Sequence, residues 1–198
     1  AGVAEALIES GFQVIRMGSG SERPFISKPD SVIDYALSSN RSEFLDVFIA
    51  ATCEFAVSTQ TGPDAVCMLF RRPVLYVDVT SYSQFFFGSK LATRSPARLH
   101  KDGKILNLSE IVNSEIAWFK DPNLFSKNGI SQQKSSSNEL KELVLSYIRM
   151  RGREDGKATS TQLMVSRGFG ERGRLQFGEV TACLAPDAER ILGDWVMK

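Results

Sequence analysis

Two hydrophobic periods take turns along the first part of the chain, and each switch between them predicts a change from helix to strand. Val3, Ala6 and Leu7, with Ala4 beside them, recur at helical spacing within residues 1–10, and Gly11 is placed to stop that helix. Residues 12–17 follow as a β-rich run ending at Gly18, and residues 31–35 as a second short one. Between these runs, glycine, serine and two prolines predict a loop over residues 18–29. Ser42 suits the cap of a helix over residues 43–52, whose Phe44, Leu45, Phe48 and Ile49 predict an apolar inner face. Next come a strand at 55–58, a small-residue turn at 59–62, and a helix for which Pro63 suits the first position, where its missing N–H would be unpaired anyway. The nearly unbroken apolar run at 73–79 reads as a strand covered on both faces. Helices and strands alternating in this way predict the α/β class with a parallel sheet and flanking helices.

The pattern then weakens. Residues 80–104 carry Ser, Gln, the cluster Phe85-Phe86-Phe87-Gly88 and scattered Lys90, Arg94, Arg98 and Lys101, which predicts a long loop or a peripheral packing segment. Residues 104–108 form a candidate strand, and Ser109 a candidate cap for a helix through Trp118. Residues 131–138 are polar and of low complexity, yet Ser136 and Glu139 have capping-box spacing ahead of Leu140, Leu143, Val144, Tyr147 and Ile148. Glycine and charge predict an irregular segment over 151–178. A final helix over 186–196 would dock through Ile191, Leu192 and Trp195. The start of the chain, without Met and already inside a helical pattern, reads as a cut from a longer protein.

Composition narrows the partners more than the fold. In 198 residues, 42% apolar content is ample for a buried core. A net charge of +1 offers no electrostatic argument for a nucleic-acid partner, and none is expected. Cys53, Cys67 and Cys183 are far apart and form no CxxC pair, which predicts a reducing compartment, small buried apolar roles and no zinc or other metal site. No stretch reaches the roughly 20 apolar residues of a membrane span, and no secretory signal opens the chain, so a cytoplasmic location is expected.

The turn at residues 59–62 carries the candidate chemistry. A strand, a hydroxyl-rich turn and a helix start bring free N–H groups and a helix dipole to one point, favouring phosphate or pyrophosphate beyond the carboxyl ends of the strands. The same turn is also an ordinary way to begin a helix. Arg16, at the end of a strand, could meet a phosphate or pair with Asp34. Asp34 and Asp46 could form an acid/base pair, but Asp46 falls in the second turn of a helix and reads better as a solvated carboxylate. His100, the sole histidine, has no readable partner and is not assigned as a base. Phe85 to Phe87 would line a cleft or join the core. Lys90, Arg94 and Arg98 would meet an anionic surface or, as the preferred reading, lie in a solvated loop.

The runs Gly11-Phe12-Gln13-Val14-Ile15-Arg16-Met17-Gly18, Val32-Ile33-Asp34-Tyr35, Ser42-Glu43-Phe44-Leu45-Asp46, Ser58-Thr59-Gln60-Thr61-Gly62 and Arg72-Pro73-Val74-Leu75-Tyr76, with the later Lys104-Ile105-Leu106-Asn107-Leu108-Ser109-Glu110-Ile111, resemble a family of bacterial glycosyltransferases of surface-polysaccharide synthesis. The resemblance covers residues 7–118. More distantly, Thr61-Gly62-Pro63 and Arg72-Pro73-Val74 look like the donor-binding half of lipopolysaccharide heptosyltransferases. The chain departs from that pattern at Gln60, and at Ala65 where a histidine is usual, so a heptose donor is not implied.

These resemblances imply the C-terminal half of a GT-B enzyme. A Rossmann-like nucleotide-sugar-binding domain would span 1–130, and a helical C-terminal extension, 131–198, would pack on it. The implied partners are a nucleotide sugar, a glycan or lipid-linked acceptor and a missing N-terminal GT-B domain; the implied place is the cytoplasm or the periphery of the inner membrane. Main-chain N–H groups of Gly62 and Asp64 and the hydroxyls of Thr59 and Thr61 would hold the donor pyrophosphate, with Ser58, Gln60, Arg16 and Gly18 around it. No cofactor beyond the donor and no obligatory metal is implied. The catalytic base of such enzymes is commonly on the N-terminal domain, so catalytic residues stay unassigned. Two alternatives remain: a sugar-nucleotide epimerase, for which a single histidine offers little, and a non-catalytic nucleotide-binding or assembly module.

Overall fold

The computed structural model describes residues 2–18, 24–25, 31–84, 91–150 and 183–184. Helix α1, Gly2–Glu9, buries Ala4, Ala6 and Leu7 and ends at Gly11, whose φ of +86° lets Phe12 N–H return to the Leu7 carbonyl at 3.0 Å. Strands β1, Val14–Ile15, and β2, Val32–Ile33, then pair in parallel as a small two-stranded sheet. Helix α2, Glu43–Thr52, is capped as expected, with the Leu45 N–H donating to the Ser42 hydroxyl at 3.2 Å. Its inner face differs from expectation. Phe44 and Phe48 are 74% and 52% exposed and stack on each other, while Leu45 and Ile49 are half-buried and Ala50 is buried. The apolar stripe is wider than the surface available to it, and Leu45, Ile49 and Ala50 face inward.

The main sheet has the order β3-β4-β5-β9, all parallel: β3 is Ala56–Ser58, β4 Val74–Val79, β5 Ala92–Pro96 and β9 Cys183–Leu184. Helix α3, Gly62–Leu69, connects β3 to β4. Parallel neighbours require such a crossover, and the run of small and apolar residues between the strands supplies it. Val74, Leu75 and Val79 on β4 are fully buried, as the unbroken apolar run predicted. Mixed α/β architecture with parallel sheets and flanking helices is therefore what the chain adopts.

The loop expected over 80–104 is corrected in its second half. Besides β5 it holds β6, Arg98–Lys101, which lies between β7, Lys104–Ile105, and β8, Ile130–Gln133, in a three-stranded antiparallel sheet. β5 reads Ala-Thr-Arg-Ser-Pro and β8 Ile-Ser-Gln-Gln, so neither shows the apolar alternation that marks a strand. The polar stretch expected at 131–138 is thus partly β8. Helix α4, Leu108–Val112, is capped by Asn107 with Glu110 in a capping box, not by Ser109, and is followed by a separate 3-10 turn, Glu115–Trp118. Helix α5, Pro122–Lys127, is capped by Asp121.

Helix α6, Ser137–Met150, starts as its sequence predicts: the Ser136 N–H donates to Glu139 Oε2 at 2.6 Å and the Glu139 N–H to Ser136 Oγ at 3.3 Å. It packs on α1 and β4 and buries Leu143, Val144 and Tyr147. Asp78, at φ +52° near the end of β4, anchors the approach to α6, accepting from the Ser135 N–H and hydroxyl at 2.8 and 2.7 Å. No helix among the described residues is long and apolar enough to cross a membrane. The readings of Phe85 to Phe87, Lys90, the irregular segment 151–178 and the helix 186–196 lie outside the described residues.

Candidate functional site

Strand register builds a row of polar side chains across the main sheet. Ser58 on β3 is paired with Tyr76 on β4, and Tyr76 with Arg94 on β5, so the three project from one face of neighbouring strands, Ser58 at the carboxyl end of β3 and the other two midway along theirs. Asp64, in the first turn of α3, reaches this row. Its Oδ2 accepts from the Ser58 hydroxyl and from the Thr61 N–H, each at 2.6 Å, and its Oδ1 accepts from the Tyr76 hydroxyl at 3.2 Å. The Ser58 and Thr61 hydroxyl oxygens are 3.3 Å apart. Gln60 completes the turn in the left-handed region, at φ +62°.

Arg94 is 7% exposed, with its guanidinium carbon 4.9 Å from the centroid of the Tyr76 ring. Its Nε and Nη1 are buried and have no hydrogen-bond partner among the described residues. Burial lowers the Arg94 pKa, opposed by the charges of Tyr76 and Asp64. Tyr76 is pushed up to about 12 by its own burial, then by the charge and hydrogen bond of Asp64, against the pull of Arg94. The row is therefore a neutral phenol between a carboxylate and a guanidinium, and the guanidinium keeps two donor groups unused.

The turn residues named from the sequence lie together here. Thr59, Thr61 and Gly62 are exposed, and a Cβ on Gly62 would meet nothing within 4 Å, so this side of the turn is open. The Asp64 N–H donates to the Thr61 carbonyl at 3.3 Å, and the Asp64 carboxylate closes the turn. Arg16 and Gly18 follow β1 of the two-stranded sheet, not the main sheet. Arg16 Nε sits 2.7 Å from Asp34 Oδ1, the pairing that sequence left as its alternative to a phosphate. Asp34 also accepts from the Phe25 N–H at 2.9 Å; burial opposes ionisation there, but that N–H and Arg16 outweigh it and lower the Asp34 pKa.

Several other sequence candidates are spent elsewhere. Asp46 approaches Arg41 at 3.7 Å, Arg98 pairs with Glu139, and His100 Nε2 is 2.7 Å from Gln133 Oε1. The solvated-loop reading of Arg94 and Arg98 is corrected: both are on strands, and Arg94 is buried. Tyr76 and Arg94 were not among the site residues named from sequence. Tyr76 was readable as a strand residue, but its neighbour across the sheet depends on a register that one sequence does not display. Among the described residues no group of three or more His, Cys, Asp or Glu is placed to hold a metal ion. The chemistry on offer is electrostatic: an underused buried cation beside an open turn at a helix start, where an anion would be held by charge. No protein-family model, curated protein or solved structure matches the chain.

Proposed function

We propose that the chain binds the diphosphate of a nucleotide sugar between Arg94 and the turn that follows β3, as the donor-binding half of a GT-B glycosyltransferase acting in bacterial surface-glycan synthesis. The observation that carries this reading is Arg94. A buried guanidinium with two unpaired nitrogens is costly unless something satisfies it, and a phosphate beside the Thr59 to Gly62 turn would do so. The resemblance of residues 7–118 supplies the sugar-nucleotide part of the proposal. In glycosyl transfer such a cation would stabilise the leaving diphosphate, while the base that deprotonates the acceptor would come from another domain.

Calorimetric titration with uridine, guanosine, adenosine and cytidine diphosphates tests this. One nucleotide is expected to bind, and Arg94→Met to weaken it by about 10- to 100-fold, the worth of a charge-assisted hydrogen bond. Gly62→Asp, for which the space is open, should abolish it by placing a second carboxylate at the turn. The Asp64 carboxylate favours a second reading, since it already occupies the turn as an internal anion and would repel a ligand phosphate. On that reading the domain is a non-catalytic assembly module, and the folded chain binds none of the four nucleotides.

A further inference from the structure

Helices α2 and α3 pack against each other, and Arg72 Nε, donating to the Ala51 carbonyl at 2.6 Å, ties the end of α3 to the end of α2. Large apolar side chains stay uncovered on this helical layer. Phe44 and Phe48 stack along α2 with ring centroids 6.0 Å apart, beside Val47, which is 44% exposed. At the end of α3, Leu69 is 77% and Phe70 46% exposed. Together these residues leave roughly 500 Å² of apolar surface in water, as much as the largest and often functional patch on a typical monomer.

We propose that this layer is the interface of a two-fold homodimer, in which α2 of one copy lies antiparallel against α2 of the other. Area is the first observation that selects a second copy as the occupant. Two such patches facing each other remove about 1,000 Å² of apolar surface, the lower bound for a specific interface before a polar rim is added. Pairing the patch with itself covers both copies at once, which is the isologous contact of a two-fold dimer.

Charge is the second observation. Glu43 begins α2 at one end of the layer, and Arg71 follows α3 at the other, next to the Arg72 that reaches Ala51. Both are exposed, and neither has an ion pair among the described residues. An antiparallel two-fold carries the start of α2 on each copy to the far end of the other copy's layer, so Glu43 meets Arg71 twice. The acidic first turn of α2, Glu43 and Asp46, disfavours an anionic lipid surface as the occupant. The inference does not depend on what the turn at residues 59–62 binds.

Sedimentation velocity of the chain over a concentration series tests this. A passage from monomer to dimer is expected with a Kd of roughly 1–100 µM, as suits an interface near the lower size bound. Phe44→Ser combined with Phe48→Ser should weaken association by at least about 100-fold, with the circular dichroism of the wild-type fold retained because these rings lie outside the core of a single copy. Glu43→Arg should weaken it by about 10-fold, and Glu43→Arg combined with Arg71→Glu should restore it, since the swap recreates both pairs. A chain that stays monomeric at about 1 mM, well above that range, overturns the proposal. So does a dimer indifferent to the phenylalanine substitutions, a charge swap that restores nothing, or a monomer that instead floats with phosphatidylglycerol vesicles.

Discussion

Three donors converge on the Asp64 carboxylate, and two of them, the Ser58 and Tyr76 hydroxyls, come from different strands. Asp64→Ala strips the N-terminal turn of α3 of its cap and leaves those hydroxyls without their acceptor. A loss of about 1–2 kcal/mol is expected in urea denaturation, with Asp64→Asn losing less. Tyr76 adds a pH dependence of definite sign. Its phenol ionises near 10.0 when unperturbed and near 12 in the fold, so the unfolded chain loses that proton first as pH rises. The stability it contributes is complete below pH 10 and is lost on the way through pH 12, a span of about 2–3 kcal/mol at most. Circular dichroism during alkaline titration should show the loss. Tyr76→Phe should reduce the slope in that window without removing it, because burial also raises Tyr82.

Helix α2 shows that apolar residues at helical spacing do not all belong to the core. Phe44→Ser should change stability by no more than about 0.5 kcal/mol, since the ring is exposed and leaves no cavity. Leu143→Ala on α6, fully buried against α1 and β4, should cost about 2–5 kcal/mol in the same denaturation assay. At the start of α6, Glu139 serves both the Ser136 N–H and Arg98 on β6. Burial alone would raise its pKa, but the Ser136 N–H and hydroxyl and then Arg98 lower it, so its contribution is present above the ordinary glutamate value of 4.5 and fades as pH falls. Glu139→Ala should therefore lower the urea midpoint at neutral pH by the equivalent of about 1–2 kcal/mol and by less in acid. The capping of α2 and α6 was legible because Ser42 with Leu45, and Ser136 with Glu139, are partners within one helical turn. β5 and β8 were illegible because Thr93, Arg94, Gln132 and Gln133 are polar residues held in strands by hydrogen bonds to neighbours far along the chain.

Across the whole molecule, β4 is the strand on which the layers meet, paired on both edges with β3 and β5 and packed against α6. Its amides, from Val74 to Val79, should exchange hydrogen most slowly in the described part of the chain, and those of the two-residue strands β1 and β2 much faster; similar rates would contradict a core centred on β4. By itself the sequence determined what local physics controls: helical and strand periods, caps closed within a turn, a glycine stop after α1, and a hydroxyl-rich turn leading into α3. Tertiary structure alone decided which distant groups meet. It set Arg94 over Tyr76 and Ser135 on Asp78, and it turned Phe44 and Phe48 outward. Each of these depends on strand register or on which helix face finds a partner, and both are chosen by the burial and pairing of the assembled sheet rather than by neighbouring residues.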